Sequence, residues 1–189
     1  MKPSTDNAAV PVPTSKARLL AHASAHIKTH GFAASPVDTL AKQAGMTSGA
    51  VYQHFAGKAD LFAAVIDAEL QKTSQRFSSI AAHDALAAEK AMHVYLSAAH
   101  VAQPEAGCPL PSLTAEVARS SPAVKHAYQQ GLVDIQQQLQ RITGSHETAW
   151  ALLAQSVGGV MLARAMTDSD LQSDLLGAIK SQCMKLLST

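Results

Sequence analysis

A glycine between two short stretches of helical pattern most limits what this chain can fold into. The stretch 36–44 follows Ser35, a helix-capping residue, and begins with proline at the first helical position. Gly45 ends this stretch, and Thr47 caps a second one that runs to His54. Two helices this short, joined by a glycine-containing turn, have the dimensions of a helix-turn-helix.

The second short helix has an unusual outer face. Val51 and Phe55 lie four residues apart and can anchor the helix to a core. The remaining side chains then point outward: Ser48, Gly49, Tyr52, Gln53 and His54. A helix that enters the DNA major groove needs small or polar residues on such a face, so the pattern indicates a DNA-reading surface. The alternative is a helical corner in which Tyr52 packs on a neighbouring helix.

Charge is divided unevenly along the chain. Residues 14–58 hold five Lys or Arg against one Asp, whereas residues 59–189 hold nine Lys or Arg against twelve Asp or Glu. A basic first part on an acidic remainder is typical of a small anion-binding module attached to a larger domain. The charge pattern therefore favours a domain boundary near residue 58.

The first 13 residues contain three prolines and no hydrophobic stretch of signal-peptide length. We therefore expect residues 1–13 to form a disordered leader and the protein to stay in the cytoplasm. Cys108 and Cys183 are too few and too far apart for a disulfide framework, so they are expected to be free thiols.

Helical periodicity continues to the end of the chain, without a strand pattern. Aromatic residues make up only 4% of the sequence and alanine dominates its apolar residues, a mixture that favours packed helices over sheets. No apolar run is long enough to span a bilayer, and none of the patterns indicates a membrane partner. The expected fold class is all-α, with a C-terminal helical bundle.

Roughly residues 15–62 contain a set of residues at specific spacing: Ala17-Arg18-Leu19-Leu20, Gly31-Phe32, Val37, Leu40-Ala41, Ala44-Gly45-Met46-Thr47, Gly49-Ala50-Val51-Tyr52, His54-Phe55, Lys58 and Leu61-Phe62. In these residues and their spacing, the stretch resembles the DNA-binding domain of the tetracycline-repressor (TetR) family. The resemblance implies a three-helix helix-turn-helix DNA-binding domain, here 14–58, and a six-helix ligand-binding and dimerisation domain, here 59–189. It also implies a ligand-responsive homodimeric repressor, not an enzyme, that binds palindromic double-stranded operator DNA.

The resemblance also assigns residue roles, position by position. The residues that it implies in phosphate contacts are Tyr52, His54 and Lys58. Those that it places at base edges are Thr47, Ser48, Gly49 and Gln53. Lys58 would clamp a phosphate beside a helix N-terminus, where unpaired N–H groups favour an anion. Gln53 is the predicted specificity residue, because glutamine can pair bidentately with adenine.

Four positions depart from the family pattern. Ser48 stands where relatives often have lysine, and Pro36 stands where a hydroxyl residue is usual, which leaves Ser35 to offer its own hydroxyl to the DNA backbone. His22 and His26 replace apolar residues in the first helix, and together with His30 they form a row with one helical turn between members. Such a row could ligate a metal. No cysteine or carboxylate completes the set, so neither a metal nor another cofactor is predicted.

Residues 107–113 resemble a Gly-Cys-containing helix start found in a subset of the family. Pro109 fits the first helical position, which places Cys108 at the N-cap, where the helix dipole favours the thiolate. One hypothesis is therefore that Cys108 senses electrophiles or oxidants. The alternative is a small buried packing residue, because no lysine or arginine is adjacent in sequence.

A small apolar or electrophilic effector is expected to occupy an apolar pocket in the second domain. The candidate lining residues are Met92, Tyr95, Cys108, Leu113, Tyr128, Trp150 and Met161. The last two helices are the predicted dimer interface, a four-helix bundle across a two-fold axis. Gly158 and Gly159 would permit close helix approach there, or would mark a local bend.

Two other classes of function remain open from the residues alone. A small thiol-dependent helical enzyme could use Cys108, but no Ser/His/Asp order, paired carboxylates or phosphate loop supports catalysis. A helical protein-partner module would bind protein and ignore DNA. Neither class explains the matched spacing through residue 62.

Overall fold

The structure is a computed structural model that describes residues 14–188. Over this range it contains ten helices and no strand, which confirms the all-α fold class. In chain order the helices are α1 (Ser15–His30), α2 (Val37–Gln43), α3 (Ser48–Tyr52), α4 (Lys58–Ser78), α5 (Ala85–Tyr95), α6 (Ala98–Ala102), α7 (Pro109–Val117), α8 (Pro122–Thr143), α9 (His146–Arg164) and α10 (Ser169–Leu187). The leader expected over 1–13 lies outside the described residues.

Local signals set both ends of the first helix. The Thr14 hydroxyl accepts a hydrogen bond from the Ala17 N–H at 3.2 Å and so caps α1. Gly31 ends the helix with φ 83°, in a region that favours glycine. One face of α1 is fully buried against α2 and α4, through Leu19, Ala23 and Ile27. This packing forms the core of the N-terminal three helices.

The predicted turn between the two short helices is confirmed. Gly45 has φ 68°, a conformation that few other residues adopt, and it lets the chain reverse between α2 and α3. Thr47 caps α3 as predicted, because its hydroxyl accepts from the Ala50 N–H at 3.2 Å. The helix-turn-helix geometry therefore arises from local signals on both sides of Gly45.

The prediction for Ser35 is wrong in both of its parts. Pro36 occupies the position before α2 and makes no capping hydrogen bond, so Ser35 is not the cap. The Ser35 side chain is also 0% exposed, and its hydroxyl donates to the Gly31 carbonyl at 2.5 Å. Ser35 therefore closes the loop between α1 and α2, and it does not offer its hydroxyl to DNA.

α4 and α8 are the longest helices, and they pack closely against each other. Gly131 in α8 permits this approach, since a Cβ built there would lie 2.5 Å from the Cβ of Leu70 in α4. At the end of α4 the Arg141 guanidinium donates to the carbonyls of Phe77 and Ile80, at 3.2 Å and 2.6 Å. These bonds satisfy carbonyl groups that a helix end leaves unpaired.

Gly131→Ala is expected to destabilise the protein, by about 1–3 kcal/mol, because the new methyl group has no space beside Leu70. The same exchange in an open helix interior normally stabilises by roughly 0.5–1 kcal/mol. Urea unfolding followed by circular dichroism measures the difference. A variant more stable than the original chain would contradict the close approach of α4 and α8.

Local signals bound the C-terminal helices. Gly144 ends α8 with φ 74°, and the Asp168 carboxylate caps α10 by accepting from the N–H groups of Asp170 and Leu171. Seven helices follow the first three, one more than the six that the resemblance implied, because the five-residue α6 forms between α5 and α7. Among residues 14–188, no helix is long and apolar enough to cross a membrane.

Candidate nucleic-acid interface and effector cavity

The third helix is anchored on one side and open on the other. Val51 and Phe55 are 1% and 4% exposed, as expected of anchors. Tyr52 is 55% exposed, and Gln53 and His54 are exposed beside it. The alternative in which Tyr52 packs on a neighbouring helix is therefore wrong. An aromatic and two hydrogen-bonding side chains stand together on the surface.

The residues at the start of α3 differ in how exposed their side chains are. Thr47 and Gly49 are exposed, whereas Ser48 is half-buried. The Ser48 hydroxyl donates to the Asp38 carboxylate of α2, so it must give up this hydrogen bond to reach a base. Asp38 also brings a negative charge to the edge of the surface, and Ser48 is thus the least available of the predicted base-edge residues.

Lys58 begins α4 and lies against the loop that joins α1 and α2. Its ammonium group donates to the Ala33 carbonyl at 3.3 Å and lies 4.5 Å from the centre of the Phe32 ring. The Lys16 ammonium of α1 lies 5.2 Å from the centre of the Phe55 ring. Lys16 is therefore close to the anchor residue that follows α3, and Lys58 stands beside N–H groups of a helix N-terminus.

Residues 19–65 match the family model described as bacterial regulatory proteins, tetR family. The whole fold is similar to solved structures of such regulators. A tetR-family domain therefore occupies residues 19–65. This match and the fold support a DNA-binding transcription regulator rather than an enzyme, and TetR regulators bind operator DNA and act as dimers.

Three solved structures illustrate the similarity. A transcriptional regulator from Rhodococcus sp. Rha1 is 25% identical, with 93% of this chain and 97% of that chain covered and a TM-score of 0.73. The reduced form of Escherichia coli NemR is 20% identical, with 88% and 95% covered and a TM-score of 0.73. A TetR regulator from Legionella pneumophila is 19% identical, with 92% and 99% covered and the same TM-score of 0.73. No curated protein matches the chain.

The helices that follow α3 enclose a cavity of about 430 Å³ between α4, α5 and α6. Its lining includes Arg76 on α4, Val94 and Tyr95 on α5, His100 on α6, and Gly107 and Cys108 before α7. The volume lies in the range of roughly 300–1,000 Å³ that is typical of small-molecule sites. The cavity is thus a suitable size for an effector.

Two of the seven predicted pocket residues, Tyr95 and Cys108, line this cavity. The other five do not line it: Met92, Leu113, Tyr128, Trp150 and Met161. Met92 and Leu113 are 2% and 1% exposed and belong to the core. Tyr128 hydrogen-bonds to Thr114 at 2.9 Å, and Trp150 and Met161 lie on α9, none of whose residues lines the cavity. Their apolar spacing reflects packing between helices.

Cys108 lies at the N-cap of α7 before Pro109, as predicted. Its thiol, however, is 4% exposed, and this burial raises the pKa more than hydrogen bonds and the Lys28 charge lower it. The expected low-pKa thiolate is therefore wrong. The alternative of a small buried packing residue fits better, with Thr73 Oγ1 3.9 Å from the sulfur.

His100 is a cavity residue that the sequence interpretation missed. Its Nδ1 lies 2.6 Å from the Tyr95 carbonyl and donates to it, while its Nε2 accepts from the Cys108 N–H at 3.2 Å. This pair of bonds assigns the neutral ring with its proton on Nδ1. The cap at Ser97, which accepts from the His100 N–H at 3.2 Å, is the signal that would have revealed α6.

Two polar links join the first three helices to the helices that follow. Lys28 in α1 pairs with Glu69 in α4 at 2.8 Å and donates to the Gly107 carbonyl at 2.9 Å. At the far end of α7, the Glu116 carboxylate accepts from the Phe32 N–H at 2.7 Å. The cavity wall is therefore bonded to α1, and α7 is bonded to the loop that Lys58 contacts.

The histidine row lies at the edge between α1 and α2. The rings of His26 and His30 stack with centres 4.2 Å apart, and His26 Nδ1 lies 3.0 Å from Gln43 Nε2. Burial lowers the pKa of His26, and the charge of His30 lowers it further. Over residues 14–188, no three side chains of His, Cys, Asp or Glu are placed to hold a metal.

Proposed function

We propose that this chain is a cytoplasmic homodimeric repressor, in which α3 of each copy reads one half of a palindromic operator and a small molecule in the cavity releases the DNA. The exposed polar face of α3, held by Val51 and Phe55, is the observation that carries the proposal. Residues 14–58 would form the DNA-binding domain, and residues 59–189 the ligand-binding and dimerisation domain.

Within the interface, the side chains divide into readers and positioners. Gln53 is exposed and can read adenine bidentately, while Thr47 and Gly49 approach bases at the start of α3. Tyr52, His54 and Lys58 would contact phosphates, which fix the position of the protein without reading sequence. Lys58 would exchange its contact with the Ala33 carbonyl for a phosphate, a much stronger partner for an ammonium group.

The dimer interface is proposed on α9 and α10. The inner face of α9 is buried, yet its outer face carries Leu162 with 57% exposure and Met161 with 37%. Leu171, at the start of α10, is 53% exposed. A helix that is apolar on both sides needs cover on both sides, and a second copy supplies it. At Gly158 an added Cβ would meet nothing within 4 Å, so this face is open to a close-packed helix.

Release by an effector would use the two links through Gly107 and Glu116. A ligand shifts a conformational equilibrium only if it binds the two states with different affinity. A ligand that displaces the Gly107 wall acts on Lys28 directly, and through α7 it acts on the α1–α2 loop. The two DNA-binding domains would then leave the spacing of about 34 Å that successive major grooves require. Thiol modification is not part of this mechanism, because the Cys108 thiol is buried.

Exchanging Lys58 and Gln53 for alanine should have different effects. Lys58→Ala is expected to weaken binding to all DNA sequences and to reduce the salt dependence, the slope of log K against log salt, by about one. Gln53→Ala is expected to relax preference at one operator position, which is worth about 1–3 kcal/mol. Fluorescence anisotropy on duplexes selected from a random pool measures both effects.

The matched control is Lys90→Ala, which removes the same charge from an exposed position on α5. It should leave the affinity and the salt slope unchanged. If Lys58→Ala behaves like this control, the phosphate clamp is wrong. If Gln53→Ala weakens binding to all DNA sequences equally, Gln53 is a positioning residue and its assignment as the specificity residue is wrong.

A further inference from the structure

The polar groups in the effector cavity differ in whether they still have a hydrogen-bonding position free for a ligand. His100 is neutral, and both of its ring nitrogens already have partners. The Tyr95 hydroxyl is buried and has no hydrogen-bond partner of normal geometry among the described residues, and its electrostatic neighbours are the weakly accepting Cys108 thiol, Arg164 and Tyr128. Burial raises the pKa of Tyr95 well above its usual value, so this hydroxyl remains a donor. The cavity therefore contains one donor in need of an acceptor.

Among the described residues, Arg76 is the one formally charged side chain that lines this cavity. Its guanidinium has no hydrogen bond or ion pair with any described residue, while no aspartate or glutamate is part of the lining. Behind the wall, Arg164 donates to three neutral oxygens: those of His100, Val101 and Ser112. No carboxylate among residues 14–188 forms an ion pair with Arg164 or Arg76. Arg164 is partly buried and lies within electrostatic range of Glu105, whereas Arg76 is exposed. A cation without an ion pair at a cavity favours an anion nearby.

Arg76 and Tyr95 both line the cavity, together with His100. The rings of Tyr95 and His100 have centres 4.6 Å apart. Burial lowers the pKa of His100, and the charges of Arg164, Arg76 and Lys28 lower it further, so the His100 ring lies within electrostatic range of all three cations. The rest of the lining is mainly apolar and includes Phe77, Ala91 and Val94. A cavity with one polar end and one apolar end suits an amphiphilic ligand.

We infer that the cavity binds a compact apolar molecule with a single carboxylate, and that Arg76 and the Tyr95 hydroxyl hold this carboxylate while the apolar part lies against Phe77 and Val94. The inference rests on the proposed function, which makes this cavity the effector site. It adds the chemical class of the effector. A guanidinium and a neutral hydroxyl are both hydrogen-bond donors, so they suit the oxygens of a carboxylate. A carboxamide carries no negative charge and would leave the guanidinium without an ionic partner.

The test is a matched pair of probes, 1-naphthaleneacetate and 1-naphthaleneacetamide, which have nearly the same shape and differ in charge. Isothermal titration calorimetry on the DNA-free full chain should show the acid binding at least about tenfold more tightly than the amide. Arg76→Gln should abolish this preference, and Tyr95→Phe should weaken acid binding by roughly tenfold. Thermal unfolding should show that Tyr95→Phe is folded and no less stable, because its hydroxyl has no partner to lose.

Lys125→Gln is the matched control, since it removes one positive charge from an exposed position on α8 that does not line the cavity. It should leave the acid preference unchanged. The inference would be overturned if acid and amide bind equally or if neither binds. It would also be overturned if Arg76→Gln keeps the acid preference or if Tyr95→Phe binds the acid as tightly as the original chain does. Operator release is measured separately by anisotropy. Acid binding without release would contradict the proposed function and leave the ligand class intact.

Discussion

Replacing Leu162 with arginine is expected to convert the protein to monomers and to lower operator affinity by about 100-fold or more. Leu162 is 57% exposed on the outer face of α9, where the second copy is proposed to pack. A buried arginine without a partner opposes that packing, and its copy in the other subunit adds like-charge repulsion. Loss of the dimer removes the second half-site, and with it the gain of roughly 10²–10⁴ that linked binding supplies.

Leu86→Arg is the matched control, because Leu86 is an equally apolar side chain with 62% exposure on α5. Light scattering coupled to size-exclusion chromatography gives the mass of each variant, and anisotropy gives its affinity for DNA. Leu86→Arg should remain a dimer with unchanged affinity. A dimeric Leu162→Arg variant would exclude this face of α9 as the interface, and a monomeric Leu86→Arg variant would place the interface on α5.

Glu69→Ala is expected to lower the free energy of unfolding by about 3–5 kcal/mol, since it leaves the Lys28 ammonium buried without its counter-charge. The Lys28 and Glu69 side chains are 4% and 9% exposed, and their charged atoms lie 2.8 Å apart. After the exchange, only the Gly107 carbonyl remains as a partner for Lys28. Urea unfolding at neutral pH measures the loss.

The matched control is Lys72→Ala, which removes the other partner of Glu69, a lysine side chain that is 56% exposed. Exposed pairs are worth about 0–1 kcal/mol, so a small change is expected. Burial raises the pKa of Glu69, but hydrogen bonds and charges from Lys28 and Lys72 together lower it below its usual value. The stabilisation by Glu69 is therefore present above the usual glutamate pKa and is lost as the pH falls below it. Equal stability of Glu69→Ala and the original chain at neutral pH would refute a stabilising role.

Local signals were sufficient to predict the helix-turn-helix. Thr47 caps α3, Gly45 turns the chain, and Val51 and Phe55 are buried, all as their spacing indicates. Each of these features depends on residues within about one helical turn. Ser35 was misinterpreted because a serine before a proline can either cap the following helix or close the preceding loop. In this chain it closes the loop, since its hydroxyl donates to the Gly31 carbonyl. The local sequence is the same in both cases.

The effector cavity depends on contacts between distant residues, and sequence patterns predicted little of it. The position of Cys108 at the start of α7 was predicted, yet its pKa follows from burial beside Thr73 and Tyr95, which are far away in sequence. His100 reaches the cavity because a five-residue helix turns it toward Gly107. Trp150 has the same periodic spacing as a pocket residue, since periodicity identifies a covered face and does not distinguish a cavity from a core.

Gly107 limits how the effector preference of this regulator can change. A Cβ at this position would lie 2.4 Å from His100 Nε2, and the Gly107 carbonyl already accepts from Lys28. Mutations there would alter ligand fit and communication with α1 together. Val94 is 72% exposed on the α5 side of the cavity, and among the described residues its side chain makes no contact that links the cavity to α1. Natural divergence and biosensor engineering should therefore proceed along α5, where ligand selectivity can be varied while the response is kept.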